Sequence, residues 1–206
     1  IRYWEELPKQ HSCVIAVDPA YSDDATADYK VASVVAIDQN QNRYLLNYIR
    51  THDDLGTFQD AIINLFISHK SYCTGVGIPN SGIEKAFFDS FMKKCEERKV
   101  YPPVIELKNV FTRAGTTVGV RNKRDRIVAA LQPLFQNGKY YIRPEHLEAR
   151  DELLTIGSSR HDDLVDCLAY SEQILQPVFY DLKEAENRYE EVETINRGQT
   201  GYGDYD

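Results

Sequence analysis

Two groups of acidic residues, far apart in the chain, are the strongest candidates for chemistry. Asp18 ends the short apolar run CVIAV and precedes Pro19, which stops strand pairing. Asp162, Asp163 and Asp166 open the segment HDDLVDCLAY near the other end. Hard divalent cations prefer clustered carboxylate oxygens. If the fold brings the two groups together, they predict a Mg or Mn site.

Simpler interpretations exist for both groups. Asp18 has the type of a turn residue that opens a loop. Acids in the first turn of a helix stabilise it through capping and the helix dipole, by about 0.3 to 1 kcal/mol each. A cap accounts for one or two acids, whereas three acids beside His161 exceed that need. His161 is either a helix-entry residue or a group that orients an acid or a water molecule.

A third acidic ligand is expected at the end of another central strand. Two-metal phosphoryl transfer uses three or four acids from different elements to hold ions about 3.5 to 4 Å apart. The natural place follows the predicted strand 74–78, but position 79 is proline. Glu84 is the nearest carboxylate, and inside the next helix it is equally consistent with a surface residue.

Five basic residues cluster in or beside a polar loop that contains glycine. They are Arg113, Arg121, Lys123, Arg124 and Arg126. The solvated start of a helix explains some of them. Contact with a nucleic-acid backbone explains all five, because phosphate neutralisation needs exposed cations on an extended support. We therefore predict that this segment binds DNA.

Composition is ordinary for a soluble globular protein, and the lack of a signal-peptide layout in the first residues predicts an intracellular protein or a fragment of a larger one. The 206 residues are 42% hydrophobic and 27% charged, with a formal net charge of -8. No apolar run approaches the roughly 20 residues that span a bilayer, so no membrane association is expected. The cysteines have no metal-ligand or redox spacing and are predicted to be reduced core residues. They are Cys13, Cys73, Cys95 and Cys167.

The order of elements predicts an α/β domain. Strands are expected at 13–17, 31–37, 43–50, 74–78, 104–107 and 139–142, the first three as antiparallel hairpins. Helices are expected at 58–70, 81–99, 123–135, 145–156 and 162–176. Residues 1–12 are predicted to be an irregular lead-in or linker, and 13–182 the domain. Residues 183–206, with seven acids and three bases, are predicted to be an acidic and partly disordered tail.

Three segments together resemble a known family. VDPAYSDDATADY, KRDRIVAALQPLFQNGKYYI and SSRHDDLVDCLAY are similar to the C-terminal nuclease domain of tailed-bacteriophage terminase large subunits, over about residues 13 to 175. The resemblance implies a ribonuclease H-like fold, in which a central mixed sheet is flanked by helices. It also implies carboxylates that bind Mg or Mn, and cleavage of concatemeric viral DNA during genome packaging.

The resemblance assigns roles by position. Asp18 resembles the first-strand acid of the family, and Asp162 with Asp163 its final acidic pair. Either member of that pair could touch the metal. Asp28 matches a recurring aspartate, and Lys123 with Arg126 a basic pair ahead of a helix. Asp28, His161 and Asp166 are expected to support the ligands rather than bind the ions.

Pro79 departs from the family pattern, because it stands where the family places its second acid. The leading hypothesis remains a two-metal DNA endonuclease in the host cytoplasm. Its implied partners are double-stranded DNA, an ATPase domain of the same full-length chain, the portal and the small terminase subunit. The alternatives are a resolvase or ribonuclease H type of nuclease, and a non-catalytic DNA- or portal-docking module that Pro79 has disabled.

Overall fold

The computed structural model describes residues 1–20, 28–80, 84–108, 111–113, 116–118, 123–156 and 162–177, with only the backbone of 111–113 and 116–118. The strands in these ranges are β1 (Arg2–Tyr3), β2 (His11–Asp18), β3 (Lys30–Asp38), β4 (Arg43–Thr51), β5 (Cys73–Pro79), β6 (Val104–Leu107), β7 (Phe111–Arg113), β8 (Thr116–Val118) and β9 (Tyr140–Ile142). The helices are α1 (Leu55–His69), α2 (Glu84–Arg98), α3 (Lys123–Gln136), α4 (Leu147–Leu154) and α5 (Asp163–Ser171).

Seven strands form one mixed sheet in the order β1-β9-β4-β3-β2-β5-β6. β2, β3 and β4 are antiparallel neighbours, whereas β5 and β6 run parallel to β2. The central strands are continuous apolar runs because both of their faces are covered. This arrangement confirms the predicted fold class, a mixed sheet flanked by helices.

The helices cover the two faces of the sheet in separate layers. Val14 and Ala16 of β2 pack in the layer that contains α3, α4 and α5. Ile15 and Val17 point the opposite way, into the layer of α1 and α2. This alternation follows from the two-residue period of a strand. Even-numbered residues of β2 therefore face one layer of helices, and odd-numbered residues face the other.

Two segments differ from the sequence prediction. The loop expected between β6 and α3 contains the antiparallel pair β7 and β8, whose Thr-rich segments flank a glycine and favour extended backbone. The expected irregular lead-in pairs through β1 with β9. Trp4 follows, buried, and its Nε1 donates to the Leu45 carbonyl at 3.1 Å. A single large aromatic side chain therefore anchors the start of the chain.

The remaining expectations concern cysteines and membrane segments. All four cysteines are free and buried, as predicted. The sheet nevertheless sets Cys13 beside Cys73 on neighbouring strands, a pairing that could not be inferred from two positions with 59 residues between them. In the described part of the chain, no helix combines the length and the apolar character needed to cross a bilayer.

Candidate functional site

Asp18 is the last residue of β2 and faces the α5 layer. Val14 and Ala16 pack in that layer, and Asp18 continues the same alternation. Its side chain is half-buried. The strand therefore delivers a carboxylate to the rim of the core, on the face that carries the second acidic segment.

The helix α5 runs back along β2 in the opposite direction. Near the start of the strand, Ser12 Oγ donates to the Gln176 carbonyl at 2.8 Å. Further along, Cys167 Sγ donates to the Ala16 carbonyl at 3.1 Å. The first turn of α5 consequently lies at the end of β2 that carries Asp18. The two acidic segments, remote in sequence, occupy one edge of the sheet.

The charges of these acids act on one another. Burial is the main cause that raises the pKa of Asp18 to about 8, and the negative charges of Asp166 and Asp163 contribute to the same rise. Lys123 and Arg126 oppose this rise. Burial and neighbouring negative charges both disfavour the ionised carboxylate, and a bound divalent cation would stabilise that ionised form.

Lys123, the first residue of α3, lies among the acids of α5. Its Nζ is 2.8 Å from Asp162 Oδ1, 3.8 Å from Asp163 Oδ1 and 3.5 Å from Asp166 Oδ2. Asp163 and Asp166 are almost completely buried, whereas the Lys123 side chain is 40% exposed. An ammonium group therefore partly neutralises the cluster from its solvent side.

Arg126, one turn further along α3, is buried and points inward. Its NH2 group donates to Asp166 Oδ1 at 2.5 Å, and its guanidinium lies 4.2 Å above the Tyr170 ring. A DNA contact requires an exposed guanidinium, and the Arg126 side chain is buried. The predicted supporting role of Asp166 stays a prediction, and its negative charge contributes to the raised pKa of Asp18, for which burial is the main cause.

The acids of α5 do not cap their own helix. Asp162 is the N-cap residue, yet its side chain makes no capping hydrogen bond. The N–H groups of Leu164 and Val165 donate instead to Glu152 Oε2 of α4, at 2.9 and 3.2 Å. Capping therefore does not explain Asp162, the residue in the N-cap position. Sequence reasoning missed Glu152, because nothing in the local pattern of α4 indicates a partner on another helix.

Pro79 ends β5 beside Asp18. Ala16 pairs with Gly77, and two further residues along this parallel register set Pro79 next to Asp18. A Cβ on Gly77 would meet Ile174 and Leu107 of the α5 layer, so position 79 faces that layer as well. Position 79 is thus where a carboxylate would complete the cluster, and proline supplies none.

Glu84 begins α2, which packs through Phe87 and Phe91 on the opposite face of the sheet from α5. Its assignment as a metal ligand stays a prediction.

Asp28 is the predicted supporting residue that precedes β3. Asp28 is exposed, and its charge contributes to the raised pKa of Asp163, for which burial is the main cause.

Of the other basic candidates, the structure describes the side chain of Arg124 alone. Arg124 is exposed at the start of α3, as a DNA contact requires. Arg113 lies on β7, of which only the backbone is described. Arg121 and His161 lie outside the described residues.

The donor set of this edge suits a hard divalent cation in its chemistry, because it consists of carboxylate oxygens whose mutual repulsion a cation relieves. It is incomplete in number. Among the residues that the structure describes, no three His, Cys, Asp or Glu side chains stand in a ready-made metal-binding arrangement. Pro79 stands where the third ligand was expected, and the assignment of that missing corner to position 79 stays a prediction.

Comparisons with known proteins support the fold. No family model matches the sequence, and no curated protein matches it. The structure is similar to the large terminase nuclease of the thermophilic phage G20c, with a TM-score of 0.53 and 13% identity over 85% of this chain and 93% of that one. It is also similar to the terminase nuclease domain of human cytomegalovirus, solved after a Mn soak. There the TM-score is 0.53 and the identity 14%, over 84% of this chain and 90% of that one.

The fold that the three sequence segments implied is therefore confirmed. At 13 to 14% identity the likeness establishes the architecture alone. The chain has the ribonuclease H-like fold of terminase large-subunit nuclease domains.

Proposed function

We propose that this protein is a metal-dependent DNA endonuclease that cuts concatemeric viral DNA during genome packaging. The observation that carries the proposal is the meeting of Asp18 with Asp163 and Asp166 at one edge of a sheet whose fold is that of terminase nucleases. Carboxylates from a strand end and a helix start form the corners on which phosphodiester hydrolysis with divalent cations depends.

Asp18, Asp162 and Asp163 would hold Mg or Mn, which when bound would activate a water molecule and stabilise the departing oxygen. Asp18 is the last residue of β2, beside the end of β5, and would supply the ligand from the strand side of the site. Asp166 is bonded to Arg126, which fixes its orientation at the base of the cluster. Lys123 is exposed enough to leave Asp162 and contact a phosphate of the substrate.

Charge balance bears on the number of ions. The four carboxylates of the cluster face two cationic side chains, Lys123 and Arg126. With all four ionised, two negative charges remain, which one divalent cation balances. The proposed second ion needs a further ligand, and Glu84 is the nearest carboxylate along the chain. We therefore expect weak activity and a preference for Mn, which tolerates imperfect geometry better than Mg.

The DNA-binding surface would lie around the start of α3, where Arg124 is exposed, with Arg113 and Arg121 on the segment before it. Double-stranded DNA is the proposed substrate. The proposed setting is the cytoplasm of an infected host, where the domain would act with an ATPase domain of the same full-length chain, the portal and the small terminase subunit. A resolvase or ribonuclease H activity is an alternative use of the same edge.

A second candidate from another class rests on Pro79. A proline at the missing corner fits a module that keeps the fold and binds DNA or the portal without cutting. A plasmid-nicking assay in Mg, Mn or EDTA separates the two. Cleavage that requires metal and disappears in Asp18→Asn supports the endonuclease. DNA binding without cleavage in either metal supports the docking module.

A further inference from the structure

Helix α5 carries two acids in its first turn and a third at its N-cap, yet two of its first N–H groups donate to a residue of another helix. In most helices the N-cap side chain accepts a hydrogen bond from the second or third N–H, which otherwise lacks a partner. Here those N–H groups belong to Leu164 and Val165, and Glu152 of α4 accepts both. Asp162, in the N-cap position, is bonded to Lys123 instead.

Glu152 is itself held in place from β4. It is 7% exposed, and its second carboxylate oxygen lies 3.5 Å from Arg50 Nε. The Arg50 guanidinium also lies 3.5 Å above the Tyr29 ring. The backbone N–H of Tyr29 donates to Asp163 Oδ2 at 3.2 Å. Arg50 thus contacts two groups, and each of them contacts the first turn of α5.

These contacts form a closed ring through four elements: α4, the first turn of α5, the residue preceding β3, and β4. A ring of this kind fixes both the backbone of the turn and one of its carboxylates. If an acid of α5 capped the helix, it would turn toward the helix axis and away from Asp18. A cap supplied by Glu152 leaves the acids free to face the edge of the sheet.

We propose that Glu152 is a positioning residue for the metal-binding edge. It caps α5 from α4 and so holds Asp162, Asp163 and Asp166 toward Asp18, while Arg50 fixes Glu152 and Tyr29 together. This inference rests on the proposed function, since it concerns the same carboxylates. Groups that orient metal ligands from behind commonly change metal affinity about 10- to 100-fold when they are removed.

The test compares Glu152→Ala, Glu152→Gln and the control Asp151→Ala. Asp151 is the adjacent acid on the same helix, is exposed, and pairs only with Arg150 among the ion pairs of the described residues. For each variant, Mn affinity is measured by calorimetry, and cleavage by kcat and KM on plasmid DNA. Circular dichroism at the assay temperature confirms that each variant is folded.

We expect Glu152→Ala to weaken Mn binding by about 10- to 100-fold and to lower kcat with little change in KM for DNA. Glu152→Gln keeps an oxygen that can accept both N–H groups, so it should recover most of the affinity. Asp151→Ala should match the wild type. A loss of stability alone would leave the Mn affinity of the folded Glu152→Ala unchanged at the assay temperature.

Two negative results have different meanings. If the wild type binds Mn and a folded Glu152→Ala binds it equally well, the positioning role is wrong while the proposed function stands. If the wild type neither binds Mn nor cuts DNA, the proposed function fails, and the inference that rests on it fails with it. Hydrogen exchange at Leu164 and Val165 reports the cap separately, and unchanged exchange in Glu152→Ala would also overturn the inference.

Discussion

Two aspartates that end neighbouring strands have opposite surroundings. Asp38 ends β3 and is 5% exposed. Its carboxylate accepts hydrogen bonds from the backbone N–H groups of Asn40 and Asn42, both at 2.8 Å, from the Asn42 amide at 2.8 Å and from the Tyr44 hydroxyl at 3.0 Å. Three of these donors belong to the turn between β3 and β4 and the fourth to Tyr44 of β4, so Asp38 is a structural turn residue.

Asp18 ends β2 and has no such partners. Among the described residues, none donates a hydrogen bond to its carboxylate. The neighbours of that carboxylate include the carboxylates of Asp163 and Asp166. Burial without compensating hydrogen bonds, next to like charges, raises the free energy of the ionised form. A fold keeps such a group at a cost in stability, and strongly perturbed carboxyl groups of this kind concentrate at functional sites. The contrast separates a structural acid from a candidate ligand.

The largest expected effect comes from replacing Asp18 and Asp38 by asparagine in two separate variants. Asp18→Asn should lower the cleavage rate about 10²- to 10³-fold and abolish high-affinity Mn binding, because the metal supplies several kcal/mol of transition-state stabilisation. Asp38→Asn should leave Mn affinity unchanged and lower the free energy of unfolding by about 1 to 3 kcal/mol, because it removes acceptors from buried donors. Calorimetric Mn titration and urea unfolding measure the two quantities. If both variants have a lower free energy of unfolding and neither has a lower Mn affinity, the contrast between Asp18 and Asp38 is wrong.

The pH dependence of Mn binding gives the next largest effect. Because the pKa of Asp18 is raised to about 8, a proton competes with the cation below that pH. Apparent Mn affinity should therefore rise with pH and level off above about 8, at a slope of up to about tenfold per unit. Binding at pH 7 should release a proton, measurable by calorimetry in buffers of different ionisation enthalpy. Asp38→Asn should keep this slope, and a flat wild-type profile between pH 6 and 8 would contradict the assignment.

Without metal, the raised pKa of Asp18 has the opposite consequence: the stability of the folded state falls as the pH rises. The folded state binds the Asp18 proton more tightly than the unfolded chain, whose carboxyl has a pKa near 3.8. Stability from this group is therefore present at low pH and is lost as the pH rises from about 4 through 8. Thermal unfolding in EDTA should follow that direction, and added Mn should reduce the loss at high pH.

A smaller effect is expected from restoring the missing corner. Pro79→Asp places a carboxylate beside Asp18 on the same face of the sheet, and a further charged ligand should raise Mn affinity about tenfold. Pro79→Asn is the matched control, since it has nearly the same shape without the charge. Both titrations are compared with the wild type. Equal affinities for all three proteins would place the missing corner elsewhere.

The sequence predicted the elements that carry the site because each has a strong local signal. An apolar run that stops at Asp18 and Pro19 describes a buried strand. The helical spacing of apolar residues after Asp162 describes an amphipathic helix. Three antiparallel strands followed by alternating helices and strands leave few packing solutions. The residue pattern thus indicated which two segments could meet, and the resemblance indicated the fold.

The partners of charged side chains were not predictable in this way. Arg126 has the sequence context of an exposed DNA contact, yet it is buried against Asp166. At the other end of α5, Arg43 and Glu172 form an ion pair at 3.1 Å although 129 positions separate them. A basic residue can pair with any acid that the packing brings within a few ångströms, and helical or strand periodicity reports only its own element.

The amino-acid sequence alone determined that a carboxylate stands at the end of a buried strand, that three acids open a late helix, and that position 79 cannot contribute a side-chain oxygen. Those facts depend on residue type and local periodicity. Only the tertiary structure decided that α5 runs back along β2 and that Glu152 caps it. It also decided that, within the described part of the chain, no donor reaches the Asp18 carboxylate where Asp38 has four. The reason is physical: desolvation, hydrogen-bond satisfaction and charge repulsion depend on which atoms surround a group in three dimensions.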